Sequence, residues 1–217
     1  MFTSAEVRWF FEGAVPDEIE RWFARGSLAS RAAPREDHYL AFPAPLGLGL
    51  KLREGRLEIK SLVKTLGPHT FTEDVAGVVQ VWEKQAHGES AVAEFERLRA
   101  SAPHLWITAR KERTLRRFSI EGRTFTEVPA DGAFPPNGCN VELTKIRVNG
   151  SDYWSFACEA YGDPARIEDA LHRIAEHVLT DTRRPRRFKT RASGADAFSA
   201  ARSHSYPEWL ETLAKQV

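Results

Sequence analysis

Charged and apolar residues alternate along several segments of the chain, which predicts strands with one charged and one apolar face. Side chains two positions apart on a strand point to the same side. The charged pairs at this spacing are Glu6 and Arg8, Lys51 and Arg53, Glu58 and Lys60, and Lys111 and Arg113. The opposite face of the first three strands carries Val7, Trp9, Phe11, Leu50, Leu52, Leu57, Ile59 and Val63. A sheet curled around the charged faces would enclose a basic, ion-lined cavity.

Hydrophobic spacing and turn residues predict the order β-α-several β-α-β-α, which favours an α+β fold with an antiparallel sheet or barrel and flanking helices. The predicted strands lie at 5–12, 38–43, 78–85 and 105–120, and the last turns at Glu121-Gly122. Two hairpins are predicted to turn at Glu54-Gly55 and at Asn149-Gly150. The predicted helices run from Pro16 to a stop at Gly26, from 90 to 100 with Ser90 as N-cap, and onward from Pro164 with Asp163 as cap.

Composition limits the type of protein. The 217 residues are 42% hydrophobic, enough for a packed core, and the net charge of +1 gives no general attraction to nucleic acid or membrane. Any anion site must therefore come from local segregation of charge. Cys139 and Cys158 form no C-x-x-C motif, the N-terminus lacks a signal-peptide pattern, and no stretch approaches about 18 apolar residues. We expect a cytoplasmic protein with reduced thiols and no membrane partner.

The known nucleotide-binding and nucleophile motifs are absent, so the charged strands carry the chemical hypothesis. Lys and Arg on different walls of a barrel can hold a triphosphate or a similar polyanion. Carboxylates there could bind Mg²⁺ or Mn²⁺, with Glu6, Glu142 and Glu159 as candidate metal ligands and catalytic residues. The alternatives are that these glutamates only form ion pairs and that the strand charges face water.

Several short matches resemble the CYTH superfamily, the triphosphate tunnel metalloenzymes. They are the acidic first strand at Glu6, the strand segments 51–53, 58–60, 82–84 and 111–113, Glu142 in the penultimate strand, and FACEAYGD in the last. The resemblance covers about residues 5–180, within a single barrel domain predicted at residues 1–180, and implies a closed or nearly closed barrel. It implies substrate binding by Arg8, Lys51, Arg53, Lys60, Lys84, Lys111 and Arg113.

The sequence departs from the family at the metal-binding positions. The family's first strand reads E-x-E-x-K, whereas this chain has Glu6, Arg8 and Phe10. Its last strand usually reads E-x-E, whereas this chain has Glu159 and Tyr161. Because metal affinity follows ligand charge, we expect a degenerate triphosphatase whose metal-dependent phosphohydrolase activity is weak or absent.

Residues 181–205 are predicted to form a basic linker or tail, and residues 206–217 a short C-terminal helix. The tail is rich in arginine and lysine: Arg183, Arg184, Arg186, Arg187, Lys189 and Arg191. Such a run is either a solvated linker or a contact to RNA phosphates. The main hypothesis is a tunnel that binds a triphosphate, a nucleotide or polyphosphate. The alternatives are a non-catalytic nucleotide- or RNA-binding module and an interaction protein.

Overall fold

Ten strands form one antiparallel sheet in the computed structural model of the chain, which describes residues 2–25, 28–40, 47–87, 89–185 and 198–214. The strands are β1 (Phe2–Glu12), β2 (Ser30–Arg31), β3 (Arg35–Leu40), β4 (Leu48–Arg53), β5 (Arg56–Thr72), β6 (Val75–His87), β7 (Trp106–Glu121), β8 (Thr124–Val128), β9 (Gly138–Val148) and β10 (Ser151–Tyr161). The pairing order β1-β10-β9-β7-β3-β4-β5-β6 returns to β1, so eight of these strands close into a barrel. The short strands β2 and β8 pair with β7.

Four helices flank the barrel within the described residues. They are α1 (Asp17–Phe23), α2 (Glu89–Ser101), α3 (Ile167–Leu179) and α4 (Tyr206–Ala214). The predicted α+β barrel with flanking helices is therefore confirmed. None of the described helices is both long and apolar enough to cross a membrane.

The main hydrophobic core lies outside the barrel wall. On β1 the apolar residues Val7, Trp9 and Phe11 pack in one cluster with α1, α3 and Phe198, while the alternate residues face the barrel interior. Alternation along one strand thus separates an outer apolar layer from an inner charged one. Burial of the outer face is what holds α1 and α3 against the sheet.

The two predicted hairpins have the turn geometry that their sequences favour. Glu54 and Gly55 both have positive φ angles, as do Asn149 and Gly150. Two consecutive positive φ angles are typical of the type I′ turn, whose twist matches that of the flanking strands. These turns fix the register of β4 on β5 and of β9 on β10.

Helix α4 closes one end of the barrel with an apolar plug. Trp209 stacks on Phe10 at 4.3 Å between ring centroids, and Trp209 and Leu210 belong to a second apolar cluster that includes Ile146 and Val148. Phe10 shares its inward face with Glu6 and Arg8 on β1. The barrel interior therefore changes from charged to apolar along its axis.

Several predicted boundaries were wrong by a few residues. Helix α2 begins at Glu89, so Ser90 lies inside it and is not its N-cap. Asp163 caps the turn before α3, since its side chain accepts a hydrogen bond from the backbone N–H of Ala165, and the helix itself begins at Ile167. The predicted stop at Gly26, residues 41–43 of the short predicted strand and residues 215–217 of the C-terminal helix lie outside the described residues.

The described parts of 181–205 contact the barrel. Arg184 is buried and bonds to both carboxylate oxygens of Asp74 at 2.8 and 2.9 Å. Phe198 is buried in the main core, and Ser203 forms an isolated β-bridge with Trp9. These contacts hold the described residues before α4 against the barrel.

Replacing Leu171 by Ala should lower the free energy of unfolding by about 2–5 kcal/mol, because this fully buried side chain joins α3 to the barrel and its loss leaves a cavity. Urea denaturation measures the change. Leu98→Ala, on the exposed part of α2, is the matched control and should change stability by less than about 0.5 kcal/mol. Equal effects of the two substitutions would contradict the assignment of the core to the outer face.

Candidate functional site

The inner faces of the strands enclose a charged cavity of about 400 Å³, called the tunnel below. Its lining includes eight basic and five acidic side chains: Arg8, Arg35, Lys51, Arg53, Lys60, Lys84, Lys111, Arg113, Glu6, Asp37, Glu58, Glu142 and Glu159. All ten residues that the sequence analysis proposed for the site are among them. The alternative that these charges face bulk water on an outer surface is therefore wrong.

Arg8, on β1, bonds to side chains of the two strands next in the barrel, β10 and β9. Its guanidinium donates to Glu142 Oε2 at 3.0 Å and to Ser155 Oγ at 3.2 Å, and lies 4.9 Å from the ring centroid of Tyr206. Burial opposes the charge of Arg8, but Glu142 and the other nearby acidic groups raise its pKa above the usual value. Arg8 therefore stays cationic and acts as a fixed positive charge inside the barrel.

Glu142 accepts a hydrogen bond from a second arginine, which lies on β7. Arg113 donates to its Oε1 at 2.9 Å, so each carboxylate oxygen has its own guanidinium. Burial by itself would raise the pKa of Glu142, but Arg113 and Arg8 hold it well below the usual range. Glu142 is thus an ionised acceptor with no proton to donate near neutral pH.

Glu6 and Glu159 are each paired with a lysine. Lys60 donates to Glu6, and Lys84 donates to Glu159 at 3.4 Å. Burial would raise the pKa of Glu159, yet Lys84 and Lys60 lower it. The side chains of Lys60 and Lys84 are 22% and 32% exposed, so part of each ammonium remains accessible from the tunnel.

A second group of charges belongs to the β4–β5 hairpin. Glu58 bonds to Lys51 at 2.6 Å and to Arg53 at 2.9 Å, across neighbouring strands. Burial lowers the pKa of Lys51 to about 8 despite the nearby Glu58 and Asp37. A bound anion would stabilise the protonated amine and raise this pKa again.

Lys111 is less accessible than the other predicted binding residues. Its side chain is only 4% exposed, lies 3.1 Å from Asp37 Oδ2 and 3.5 Å from the ring centroid of Tyr206, and also donates to Tyr39. Burial lowers its pKa to about 7, although Asp37 opposes the change. Lys111 therefore lines the tunnel but is occupied by these contacts.

The carboxylates of the tunnel do not fit a divalent metal ion. Within the described residues there is no group of three or more His, Cys, Asp or Glu side chains placed to hold a metal. Glu6, Glu142 and Glu159 each bond to a lysine or arginine instead. Arg8 adds a further cation in place of the second carboxylate of the E-x-E-x-K pattern. The metal that the family resemblance implied therefore lacks a suitable set of ligands here.

Sequence reasoning missed one wall of the tunnel. Arg35, Asp37 and Tyr39 follow the same two-residue spacing on β3, but the predicted strand began only at His38. Starting that strand at Arg35 would have revealed the pattern. Tyr206 was predicted to lie in a helix, but no local pattern indicates that this helix would reach the tunnel.

The basic tail contributes no described residue to the tunnel lining. Arg183 bonds to the Asp181 carboxylate at 3.0 and 3.1 Å, and Arg184 bonds to Asp74. The remaining basic residues of the tail, Arg186, Arg187, Lys189 and Arg191, lie outside the described residues.

No protein-family model and no curated protein matches the chain. Solved structures that resemble it include a conserved hypothetical protein from Pyrococcus furiosus, a protein from Pyrococcus horikoshii, and the Mediator head module of Schizosaccharomyces pombe. Their identities are 16%, 15% and 9%, and their TM-scores are 0.39, 0.37 and 0.39. Each match covers 82% of this chain, and it covers 93%, 93% and 91% of the three other chains, respectively.

Replacing Asp37 by Ala should lower the free energy of unfolding by about 3–5 kcal/mol at pH 7, because Lys111 and Arg35 would lose a buried counter-charge. Burial opposes ionisation of Asp37, but Lys111 and Lys51 hold its pKa well below the usual value. The carboxylate thus stabilises the fold above the unfolded-state pKa of about 3.9 and loses this effect as pH falls.

Chemical denaturation at pH 7 measures this cost. Asp152→Ala removes an exposed ion pair with Arg147 and serves as control, with an expected cost below about 1 kcal/mol. A cost for Asp37→Ala as small as that of the control would show that the buried pair is not needed.

Proposed function

We propose that the tunnel binds a phosphorylated anion, such as a triphosphate, a nucleotide or polyphosphate. The observation that carries this proposal is the excess of basic over acidic side chains around one cavity, eight against five. A volume of about 400 Å³ is within the range of small-molecule sites. The basic groups come from several walls, which suits an anion with charged oxygens on all sides.

Four cations are best placed to contact such a ligand. Arg53, Lys60, Lys84 and Arg113 have side chains that are 22–32% exposed, whereas Arg8 and Lys111 are almost fully buried. Each of the four already bonds to a carboxylate, which holds it in position and limits repulsion in the empty tunnel. A lysine ammonium has three donors and an arginine has five, so each can retain its carboxylate and still donate to a phosphate oxygen.

Binding without a divalent ion follows from the same contacts. A metal ion in a triphosphate site neutralises phosphate charge and bridges it to carboxylates. In this tunnel Arg8, Lys60, Lys84 and Arg113 already neutralise Glu6, Glu142 and Glu159. We therefore favour a binding protein with weak phosphohydrolase activity. A bound Mg²⁺ or Mn²⁺ ion belongs to the alternative in which the protein is an enzyme.

Arg53→Gln and Arg113→Gln should each weaken binding of tripolyphosphate by about tenfold or more, since each removes a charge-assisted hydrogen bond of about 1.5–3 kcal/mol. Isothermal titration calorimetry at two salt concentrations measures the affinity, which should fall as salt rises. Arg147→Gln, on the outer surface, is the matched control and should change the affinity less than about twofold. Unchanged binding in both tunnel variants, with the fold intact, would place the anion site elsewhere.

Chelation should leave the affinity for tripolyphosphate unchanged, and phosphate release with Mg²⁺ or Mn²⁺ should remain well below the usual enzymatic range of about 1–10³ s⁻¹. The physical reason is that cations of the protein occupy the carboxylates. Calorimetry with EDTA and a phosphate-release assay give the two readouts. Turnover within that range that Glu6→Ala abolishes, and that the exposed control Glu12→Ala preserves, would show that the protein is an enzyme.

A further inference from the structure

Two exposed phenylalanines line the tunnel at the end opposite to α4. Phe2 begins β1, and Phe10, which α4 covers, lies near the other end of the same strand. Phe134 belongs to the connection between β8 and β9 and lines the same cavity as Phe2. We propose that Phe2 and Phe134 form an aromatic clamp for a planar base, so that the anion of this tunnel is a nucleoside polyphosphate. This inference rests on the proposed function and narrows its ligand.

The ring of Phe134 is held in place and largely exposed, as a residue that stacks on a base must be. The guanidinium of Arg117 lies 3.7 Å from its ring centroid and covers one face, while the side chain remains 62% exposed. Arg117 also donates to the carbonyl oxygen of Gly132 at 2.9 Å and to Asn140 Oδ1 at 3.1 Å. These bonds fix both the arginine and the connection that carries the ring, while most of the ring stays exposed.

Phe2 contacts the same tyrosine, Tyr161, as Phe134 does. The ring centroids of Phe2 and Phe134 are each 5.6 Å from that of Tyr161, which is itself buried. Lys84 lies 5.7 Å from the Phe2 ring centroid and bonds to Glu159 deeper in the tunnel. An aromatic surface therefore adjoins the first cations of the charged region.

This juxtaposition matches a ligand with an aromatic end and a polyanionic end. Inorganic phosphate chains gain nothing from an exposed phenyl ring, whereas every nucleobase can stack on one. The phosphates would extend into the tunnel toward Arg113 and Lys60, and the base would stack on Phe134, with Phe2 as the second aromatic contact. Because stacking uses the face of the base rather than its edges, we expect little discrimination among the four bases.

The test compares two ligands that differ only in the base. Titration calorimetry measures the affinities of ATP and of ribose 5-triphosphate for wild type, Phe134→Ala, Phe134→Trp and the distant control Leu98→Ala. Wild type should bind ATP about tenfold more tightly than ribose 5-triphosphate, and Phe134→Ala should reduce this ratio to near one. The affinity for ribose 5-triphosphate should be the same in all four proteins, and Phe134→Trp should keep the preference for ATP.

The remaining outcomes separate this inference from the proposed function. Equal affinities of wild type for the two ligands, or a preference that persists in Phe134→Ala and in Phe2→Ala, would overturn the clamp while leaving anion binding intact. Loss of affinity for both ligands in Phe134→Ala would also overturn it, because the residue would then act on the phosphates or on the fold, which thermal melting distinguishes. Failure of wild type to bind either ligand would refute the proposed function, and the clamp with it.

Discussion

The pairing of charges inside the barrel is the constraint on which the rest of this structure depends. A closed eight-stranded barrel normally fills its interior with side chains, and here those side chains are largely ionic. A buried charge is costly unless it is paired and hydrogen-bonded. Each interior carboxylate accordingly faces at least one lysine or arginine, and Asp37, Glu58 and Glu142 each face two. The apolar residues that would otherwise form the interior pack on the outer face of the wall under α1 and α3.

Excess positive charge is the basis for proposing that this network binds an anion. If the cations and carboxylates were equal in number, the interior would be saturated by its own ion pairs. Three basic groups more than acidic ones line the tunnel, and the pKa of Lys111 and Lys51 is lowered to about 7 and about 8 by burial. An anion would relieve this unfavourable burial of positive charge. Arg8 illustrates the same principle, because its position on β1 brings a permanent cation to Glu142, where a metal-binding protein would need another carboxylate.

The C-terminal segment completes the tunnel although it lies far from the barrel strands in sequence. Gln80 donates to Glu208 at 2.9 Å, Trp209 stacks on Phe10, and Tyr206 covers Arg8 and Lys111. One end of the barrel is thereby filled with aromatic side chains, so the proposed ligand would enter at the end near Phe2 and Phe134. The polarity of the tunnel, apolar at one end and ionic in the middle, thus arises from two separate parts of the chain.

The sequence alone determined most of the strands, the two-residue hairpin turns and the face of the charged pairs on β1, β4 and β5, because these depend on local spacing and on φ preferences. The face of Lys51, Arg53 and Lys60 followed from alternation with Leu52 and Leu57. Only the tertiary structure decided which face became the interior and which charges met. The Arg8–Glu142 contact spans 134 residues, and the contacts of Tyr206 require α4 to enter the barrel end. Such long-range partners depend on strand register and barrel closure, which no local pattern in the chain encodes.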